Sequence, residues 1–446
     1  MIENQTIELD LENAEFQEAY DLVANTNQTL FLTGKAGTGK STFLRYFVDT
    51  IPKNFVVVAP TGIAATNVRG VTIHSFFQLP PRPFLPDDPG ITRFKKGSEK
   101  RRIIQALDTL FIDEISMVRI DLLYAIDRSL RINGRDPLLP FGGKQVVFVG
   151  DVFQLPPVPP KDKQERQILE NNYRSLFFFE AECYRQANPR IIELQKLYRQ
   201  SDPAFIEILG RFRLDTFTGG DLSEINKRVV DKESGREPSM AITLTSTNEM
   251  ANNENQVRLA KIQAEEFLSE AVIEGIFEPD YFPTSSELHL KVGAQVMFVK
   301  NDIGKRWVNG TIGVITNIQD PIIEVMDKNG NILHVKREKW ERIKYSYNLD
   351  KRRIDAEVVG TFEQFPLKLA WATTIHKSQG QTFDRATVDL GSGAFCGGQT
   401  YVALSRVTSL DGLFLKHKLT MADIFIEDEI TKFAESWSLI SAISES

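Results

Sequence analysis

The chain has 446 residues, 42% hydrophobic and 25% charged, a composition that indicates an ordinary globular protein of two to four domains. Its net charge of −7 argues against a histone-like protein that binds nucleic acid through an overall positive field, so any nucleic acid must bind in a local groove. Two cysteines cannot build a disulfide framework or a four-cysteine metal site, no apolar run approaches the ~20 residues of a membrane span, and the acidic N-terminus is neither a signal nor a transit peptide.

A glycine-rich loop is the strongest pattern in the first part of the chain. Residues 28–33 predict a short strand, and the sequence FLTGKAGTGKSTFL at 31–44 contains the P-loop pattern followed by helical spacing. The glycines let the backbone wrap around phosphates, and N–H groups at the start of the helix point at anionic oxygens. The pattern predicts an ATP site in which Lys40 contacts the β and γ phosphates and Ser41 binds Mg²⁺. The predicted nucleotide-binding residues of this loop are Gly34, Ala36, Gly37, Thr38, Gly39, Lys40, Ser41 and Thr42.

Two polar loops come after the next predicted strand, residues 55–59. They contain Thr61 and Gly62 in the first loop, and Thr72, His74 and Ser75 in the second. Loops at the carboxyl end of a parallel strand can donate hydrogen bonds to the phosphates of a nucleic acid. An ordinary polar loop is an equal alternative at this point.

Residues 79–102 differ in composition from their neighbours. They hold five prolines, which oppose regular structure, and a basic cluster at 95–102. We interpret them as a small protruding insertion between two strands, with a solvated run of charge as the alternative.

Two carboxylates follow the strand predicted at 106–112. Asp113 is expected to hold Mg²⁺ through water, and Glu114 to orient and polarise the water that attacks the γ-phosphate. A helix and another buried strand at 144–150 come next, and Gln154 then stands where a γ-phosphate sensor would be placed. The alternation of strands and helices predicts a parallel α/β sheet.

The spacing of hydrophobic residues changes twice in the second half of the chain. Residues 191–213 predict a helix, a turn and a second helix, and residues 241–245 predict a strand followed by a helix that ends at about Phe267. Short strands with no helix between them then run from 288 to about 345, which favours a small β-barrel. Positive charge concentrates in and just after these strands, where it could hold DNA or remain solvated.

Eight stretches of the chain, in the same order, resemble those of Pif-type (petite-integration-frequency) helicases, which belong to superfamily one and move 5′→3′. They are GKAGTGKST, APTGIAA, TIHSFF, FIDEISMV, PFGGKQVVFVGDVFQLPPV, LYRQ, TIHKSQGQTF and YVALSRVTSLDGL, and they extend from about residue 31 to 413. RecD-type helicases share the general motifs and are the near alternative. The resemblance implies an α/β fold of two RecA-like parallel-sheet P-loop domains, with ATP and Mg²⁺ between them, plus a small Pro-rich insert and a small β-barrel insert of the Src-homology-three type.

The resemblance also implies roles for individual side chains. It brings Arg199 and Arg406 into the ATP cleft from the second domain, so that the catalytic residues are Lys40, Glu114, Gln154, Arg199 and Arg406. It adds Gln17 and Gly380 to the nucleotide-binding residues, and it assigns Mg²⁺ to Ser41 and Asp113. The residues that it places on the nucleic-acid side are Thr61, Gly62, Thr72, His74, Ser75, Thr247, Asn248, His376, Lys377 and Ser378.

The predicted domain organisation has five parts. They are a first RecA-like ATPase domain (1–66 and 105–190), a wedge-like insert (67–104), a second RecA-like domain (191–287 and 358–430), a β-barrel insert (288–357) and a C-terminal tail (431–446). The predicted activity is ATP-driven 5′→3′ translocation along single-stranded DNA with unwinding of duplex or structured DNA. Its direction rests on the resemblance, because no spacing of residues encodes polarity.

The expected partners are single-stranded DNA and forked or structured DNA, with no membrane, and the protein is expected to be monomeric in isolation. We expect it to be cytoplasmic and nucleoid-associated if it is bacterial, and the resemblance implies roles in DNA repair and telomere maintenance. A RecD-like DNA-stimulated translocase, or an RNA helicase with little duplex unwinding, is the alternative. An inactive nucleic-acid-binding module is a third possibility, and the intact Lys40, Asp113 and Glu114 argue against it.

Overall fold

The computed structural model describes residues 12–200, 202–230, 240–302, 304, 306–348, 350–351 and 353–444. The start of the predicted first domain (1–11) and the end of the predicted tail (445–446) lie outside them. The helices are α1 (Ala14–Asn25), α2 (Lys40–Thr50), α3 (Gly62–Asn67), α4 (Ile73–Phe77), α5 (Glu99–Ala106), α6 (Ile120–Asn133), α7 (Lys163–Asn172), α8 (Glu182–Ala187), α9 (Pro203–Arg213), α10 (Gly219–Asn226), α11 (Asn248–Lys261), α12 (Gln399–Leu404) and α13 (Asp428–Ser444).

The strands alternate with helices in the first half and follow one another in the second. They are β1 (Leu30–Gly34), β2 (Phe55–Ala59), β3 (Val71–Thr72), β4 (Thr109–Ile112), β5 (Gln145–Val149), β6 (Arg190–Leu194), β7 (Ile242–Thr245), β8 (Glu266–Glu270), β9 (Val272–Gly275), β10 (Glu287–Lys291), β11 (Gln295–Phe298), β12 (Ile312–Gln319), β13 (Ile322–Asp327), β14 (Ile332–Val335), β15 (Glu338–Asn348), β16 (Arg353–Gln364), β17 (Leu367–Leu369), β18 (Ala372–Thr374), β19 (Ala386–Asp389) and β20 (Leu413–Leu415).

The first α/β unit is built on a six-stranded parallel sheet in the order β3-β2-β4-β5-β1-β6. Its central strands are buried because helices cover both faces. Successive residues point to opposite faces, so Phe31 joins the core under α6, whereas Leu30 and Leu32 join the core under α1 and α2. The strands predicted at 28–33, 55–59, 106–112 and 144–150 are confirmed.

One predicted element of this region is wrong. The first part of the helix–turn–helix predicted at 191–213 is strand β6, which pairs in parallel with β1 and brings Ile191 beside Phe31. In this strand Ile192 and Leu194 are buried while their neighbours are partly exposed, which is the period of a half-covered edge strand. The predicted domain boundary between residues 190 and 191 therefore falls inside a strand of the first sheet.

The second α/β unit has a four-stranded parallel sheet in the order β18-β7-β19-β20. Helices α9 and α12 pack on it around Leu244 and Val388. The strand predicted at 241–245 is confirmed, but the helix after it ends at Lys261 instead of about Phe267. The chain turns there because Phe267 lies in β8, which pairs with β10.

The Pro-rich segment does not protrude as expected. Within it, 79–98 forms no helix or strand, but Phe84, Ile91 and Phe94 are buried in the core of the first unit. The backbone N–H groups of Phe84 and Phe94 donate to Asp121 and Asn133 on α6, which fix the segment against that helix. Of the basic residues at its end, predicted as irregular, Lys100, Arg101 and Arg102 lie in the first turn of helix α5, whereas Lys95 and Lys96 precede the helix.

The second insert is all-β, as predicted. Its strands form a five-stranded antiparallel sheet, β14-β13-β12-β11-β17, a three-stranded sheet, β15-β16-β9, and the β10-β8 pair. The strands extend beyond the predicted limits 288–357 at both ends, and the Src-homology-three likeness of the sheet stays a prediction. Across the described residues, no helix has the length and apolar character that crossing a membrane requires.

The long β15–β16 hairpin of this insert packs against the first α/β unit. The buried Tyr345 hydroxyl accepts a hydrogen bond from the Val57 N–H of β2 at 3.2 Å, and its ring meets the edge of Phe76. Lys344 pairs with Glu99 of α5 at 3.2 Å. The insert is therefore attached to the first sheet as well as to the second, in which its chain begins and ends.

We expect Tyr345→Phe to lower the free energy of unfolding by about 1–3 kcal/mol, because the Val57 N–H loses its buried partner. Tyr347→Phe is the matched control, since Tyr347 lies two residues further along the same strand and is only partly buried. Urea unfolding of both variants measures the difference. Equal stability of the two would show that the hairpin is not held by this bond.

Candidate active site

A cleft of about 430 Å³ lies between the two α/β units, and both of them contribute to its walls. Its floor is the P-loop and the start of α2, at the carboxyl end of β1. The lining residues are Ala36, Gly37, Gly39, Lys40, Ser41, Thr42, Arg45, Asp113, Glu114, Gly150, Gln154, Tyr198, Arg199, Val308, Gly380, Thr382 and Arg406. Most of the residues predicted for nucleotide, metal and catalysis therefore meet in one place.

The P-loop needs its glycines because the backbone is left-handed and another segment touches it. Gly37 and Gly39 have φ values of 87° and 88°. A Cβ on Gly37 would lie 2.5 Å from the Cβ of Arg199, and the Tyr198 N–H donates to the Gly37 carbonyl at 2.9 Å. The phosphate loop is thus in direct contact with the segment that carries a predicted catalytic arginine.

Lys40 begins helix α2 and folds back over the loop. Its ammonium donates to the carbonyls of Gly34 at 2.6 Å and Lys35 at 3.0 Å. Burial lowers the pKa of Lys40 to about 8, and the nearby carboxylates of Asp151 and Glu114 only partly oppose this. A partly buried ammonium whose charge is only partly compensated favours an anion beside it.

Asp113 and Glu114 stand at the carboxyl end of β4, beside the P-loop. Burial, with the neighbouring Glu114 carboxylate, raises the pKa of Asp113 to about 7, and burial also raises the pKa of Glu114. Glu114 has a left-handed backbone, with φ of 48°, at the turn that follows the strand. The Ser41 hydroxyl and the Asp113 carboxylate are hard oxygen donors on one wall of the cleft, so this donor set fits Mg²⁺.

Two arginines close the opposite side of the cleft. Arg406 is 1% exposed and is held by the Val402 carbonyl at 2.9 Å and the Ser405 hydroxyl at 2.8 Å. Arg199 donates to the Ser405 carbonyl at 3.3 Å, and burial, with the adjacent charge of Arg406, lowers the pKa of Arg199 to about 9. Burial also lowers the pKa of Arg406. The two guanidinium groups repel each other unless an anion lies between them.

Gln154 is connected to the second α/β unit through a buried ion pair. Its amide donates to Asp151 at 3.3 Å, and Asp151 is paired with Arg213 of α9 at 3.1 Å. Arg213 also reaches Glu193 at 3.2 Å and lies over the ring of Phe153. Although burial opposes its charge, the carboxylates raise the pKa of Arg213. This pair joins the segment of one unit that carries Gln154 to a helix of the other.

Three predicted nucleotide residues lie outside the lining. Gly34 is needed for packing, because a Cβ there would lie 2.7 Å from the Leu194 carbonyl, and the buried Thr38 hydroxyl donates to the Lys35 carbonyl. Gln17 is exposed on α1. Their contact with nucleotide stays a prediction.

Sequence reasoning missed six residues of this region. They are Arg45, Gly150, Tyr198, Val308 and Thr382 in the lining, and Arg213 behind it. Tyr198 could have been found from the sequence, because it directly precedes Arg199. In the structure its ring is parallel to that of Phe16, with the ring centroids 6.4 Å apart. The sequence signal for Arg213 was weaker: it is a charged residue next to Phe212 on the buried side of helix α9.

The residues predicted for nucleic acid share a local design on both sheets. Thr61, Thr72 and Thr247 each cap the helix that follows a parallel strand, with the hydroxyl accepting the N–H three residues on. Gly62 and Asn248 are the first residues of two of these helices. The helix N-termini stand at the carboxyl edges of the two sheets, where N–H groups can meet phosphates.

The other predicted nucleic-acid residues differ in exposure. Lys377 is exposed, and burial lowers the pKa values of His74 and His376, which favours their neutral form. Ser378 is fully buried and its hydroxyl donates to the Ile375 carbonyl, so contact with DNA would need this turn to open. Ser75 accepts a hydrogen bond from Arg342 of the β insert at 3.3 Å.

A P-loop, two adjacent carboxylates and two arginines from two other segments of the chain define a nucleoside triphosphatase with two RecA-like units. Residues 11–209 match the family described as PIF1-like helicase, and residues 280–318 match the DNA helicase Pif1 2B domain. The chain is 34% identical over 420 residues to the ATP-dependent DNA helicase Pif1 of Bdellovibrio bacteriovorus, with 92% of this chain and 88% of that protein covered. The chain belongs to the PIF1-like helicase family, and the predicted resemblance is confirmed.

Longer relatives and solved structures agree with this. The human ATP-dependent DNA helicase PIF1 is 32% identical, with 86% of this chain but only 58% of that protein covered. Pif1 from Bacteroides in complex with ADP-AlF4 is 38% identical with a TM-score of 0.87, covering 95% of this chain and 96% of that one. Bacteroides Pif1 in complex with ADP-AlF3 and single-stranded DNA is 37% identical with a TM-score of 0.66, covering 95% and 97%. The arrangement described here is closer to the former.

Two substitutions should separate nucleotide binding from hydrolysis. Lys40→Ala removes the partly buried ammonium and should weaken ATP binding, whereas Glu114→Gln keeps the shape of the side chain but cannot polarise water. Glu114→Gln should therefore bind ATP normally and hydrolyse it at least ~100-fold more slowly, the scale of a lost general base. A fluorescent ATP analogue and phosphate release measure the two properties, with the exposed Glu341→Gln as control. Near wild-type turnover in Glu114→Gln would remove Glu114 from the mechanism.

Proposed function

We propose that this protein is an ATP-dependent 5′→3′ DNA helicase that translocates on single-stranded DNA and unwinds duplex or structured DNA. One observation carries the proposal: Lys40, Arg199 and Arg406 place three cations around one cleft, with Arg406 fully buried and the other two partly buried, and burial lowers the pKa of each. Among the described residues, none of these three cations forms an ion pair. The ion pairs beside the cleft are those of Arg213 with Asp151 and Glu193. The nearby carboxylates of Glu114 and Asp151 offset the positive charge of the three cations only in part, and a triphosphate would supply the rest.

The side chains then divide the hydrolysis of ATP between them. Lys40 neutralises the β and γ phosphates, and Glu114 orients and polarises the water whose oxygen bonds to the γ-phosphorus. The bond from that phosphorus to the bridging oxygen breaks, which leaves ADP and phosphate. Arg199 and Arg406 stabilise the charge that spreads over the transferred group. Mg²⁺, held by Ser41 and Asp113, would neutralise phosphate charge and orient the triphosphate.

Hydrolysis can move DNA because the two α/β units that form the nucleotide cleft also carry the helix N-termini that are predicted to hold the DNA. Thr61 and Thr72 stand on the first sheet, and Thr247 stands on the second. Closing the cleft around ATP shortens the distance between these two sets of helix N-termini, and release of products lengthens it again. Single-stranded DNA that bridges both sets favours the closed state, so it should stimulate ATP hydrolysis.

The comparisons support DNA as the track. The relatives from Bdellovibrio and human are named ATP-dependent DNA helicases, and a Bacteroides Pif1 structure contains single-stranded DNA. We propose the same substrate class here, with action at the nucleoid if the cell is bacterial. Roles in DNA repair and at telomeres stay proposals, since the chain spans 58% of the human relative.

A strand-displacement panel tests the function. Duplexes with a 5′ single-stranded tail, a 3′ tail or no tail are mixed with protein, ATP and Mg²⁺, and the release of labelled strand is measured. We expect unwinding of the 5′-tailed substrate alone. ATP hydrolysis without release would favour a RecD-like translocase with little unwinding, and activity confined to an RNA tail would favour an RNA helicase. Either outcome would contradict the proposal.

The arginines should couple the two halves of the cleft. Arg406→Ala and Arg199→Ala are expected to retain nucleotide and DNA binding but to lose DNA-stimulated turnover on the order of 10³-fold, the value of an arginine finger. Arg406→Lys keeps the buried charge and reports whether the bidentate group itself is needed. The exposed Arg185→Ala is the control. Turnover within threefold of wild type in both alanine variants would contradict a two-domain catalytic cleft.

A further inference from the structure

One wall of the nucleotide cleft comes from the β insert instead of from either α/β unit. Val308, in the loop between β11 and β12, lines the cleft together with Lys40, Gly380 and Arg406. It is an apolar side chain in a polar site, and it is 58% exposed. No pattern in the sequence connects this loop with nucleotide.

The loop is held firmly on the insert, so the position of Val308 follows the position of the insert. Trp307 is buried and stacks on Phe298 of β11, with ring centroids 4.5 Å apart. The Asn309 N–H donates to Asn301 at 2.7 Å, and the Val308 N–H donates to the Thr311 hydroxyl at 3.1 Å. The side chain of Val308 is left to face the cleft.

The same loop touches the second α/β unit at a point that only glycine allows. Gly310 has a φ of +99°, and a Cβ there would lie 2.5 Å from the Thr382 carbonyl. Thr382 lines the cleft and is two residues from Gly380, which was predicted to contact nucleotide. The contact is therefore backbone against backbone, and it places the loop directly beside the nucleotide-facing turn.

This contact is incomplete in its polar groups. The Asn309 and Gln381 side-chain oxygens are buried without a hydrogen bond partner among the described residues. Unpaired buried acceptors cost free energy, so the contact gains little from polar bonding of its own.

We propose that the loop Trp307–Thr311 is a nucleotide-contacting wall, in which Val308 covers a bound nucleoside di- or triphosphate and links its binding to the placement of the β insert. The proposal rests on the proposed function, because it takes ATP as the ligand of the cleft. The insert also touches the predicted DNA side, where the Tyr281 hydroxyl lies 2.7 Å from that of Thr72. By thermodynamic linkage, if this position of the loop strengthens nucleotide binding, then nucleotide stabilises this position of the loop by the same free energy.

Thiol protection tests the placement of Val308 directly. Val308→Cys is treated with a maleimide, with and without Mg²⁺, ADP and aluminium fluoride, and labelling of its peptide is followed by mass spectrometry. We expect nucleotide to slow labelling at least tenfold. Val358→Cys is the matched control, a 50% exposed valine on β16 of the same insert, and should label equally under both conditions. Equal labelling of Val308→Cys with and without nucleotide would overturn the proposal.

A pair of glycines tests the linkage. Gly310→Ala should push the loop away from Thr382 and weaken ADP–aluminium fluoride binding at least fivefold. Gly330→Ala carries the same backbone strain, with φ of +83° and open space around its Cβ, and should bind as wild type does. Equal affinities of the two variants would contradict the linkage. Absence of nucleotide binding by the wild-type protein would instead contradict the proposed function, so the two failures are distinguishable.

Discussion

Three cations around one cleft, one buried and two partly buried, are the constraint on which the rest of the structure depends. Lys40 comes from the P-loop, Arg199 from the segment after β6, and Arg406 from the end of α12. Holding them together without an anion is unfavourable, because burial penalises each charge and the arginines repel each other. A triphosphate removes that penalty only when all three reach it, so binding energy is available to close the two α/β units.

The ion pair between Asp151 and Arg213 is a second contact that joins the two α/β units. Both side chains are almost fully buried, and removing one partner would leave an uncompensated charge. Asp151 also holds Gln154, which lines the cleft. Gln154, Asp151 and Arg213 therefore form a hydrogen-bonded chain from the cleft to helix α9, which packs on the second sheet.

Local patterns predicted most of the site, and contacts between distant segments account for what they missed. The P-loop, Asp113 with Glu114, and the loops that begin at Thr61 and Thr72 each lie within one strand–loop–helix unit, where spacing determines geometry. Strand β6 was misassigned because five residues of mixed polarity fit a helix as well as an edge strand, and only pairing with β1 decides. Val308 could not be predicted, because its role depends on where the insert docks.

The central claim is that the cleft is built for the charge of a transferring phosphate, not for nucleotide in general. Calorimetry of the wild-type protein with Mg²⁺ and saturating single-stranded DNA, comparing ADP alone with ADP plus aluminium fluoride, tests it most directly. Transition-state analogues bind about 10²-fold or more tightly than ground-state ligands when such a site is complete, and we predict at least that ratio. Affinities within about threefold of each other would contradict the account, because the arginines and Gln154 would then add nothing at the terminal phosphate.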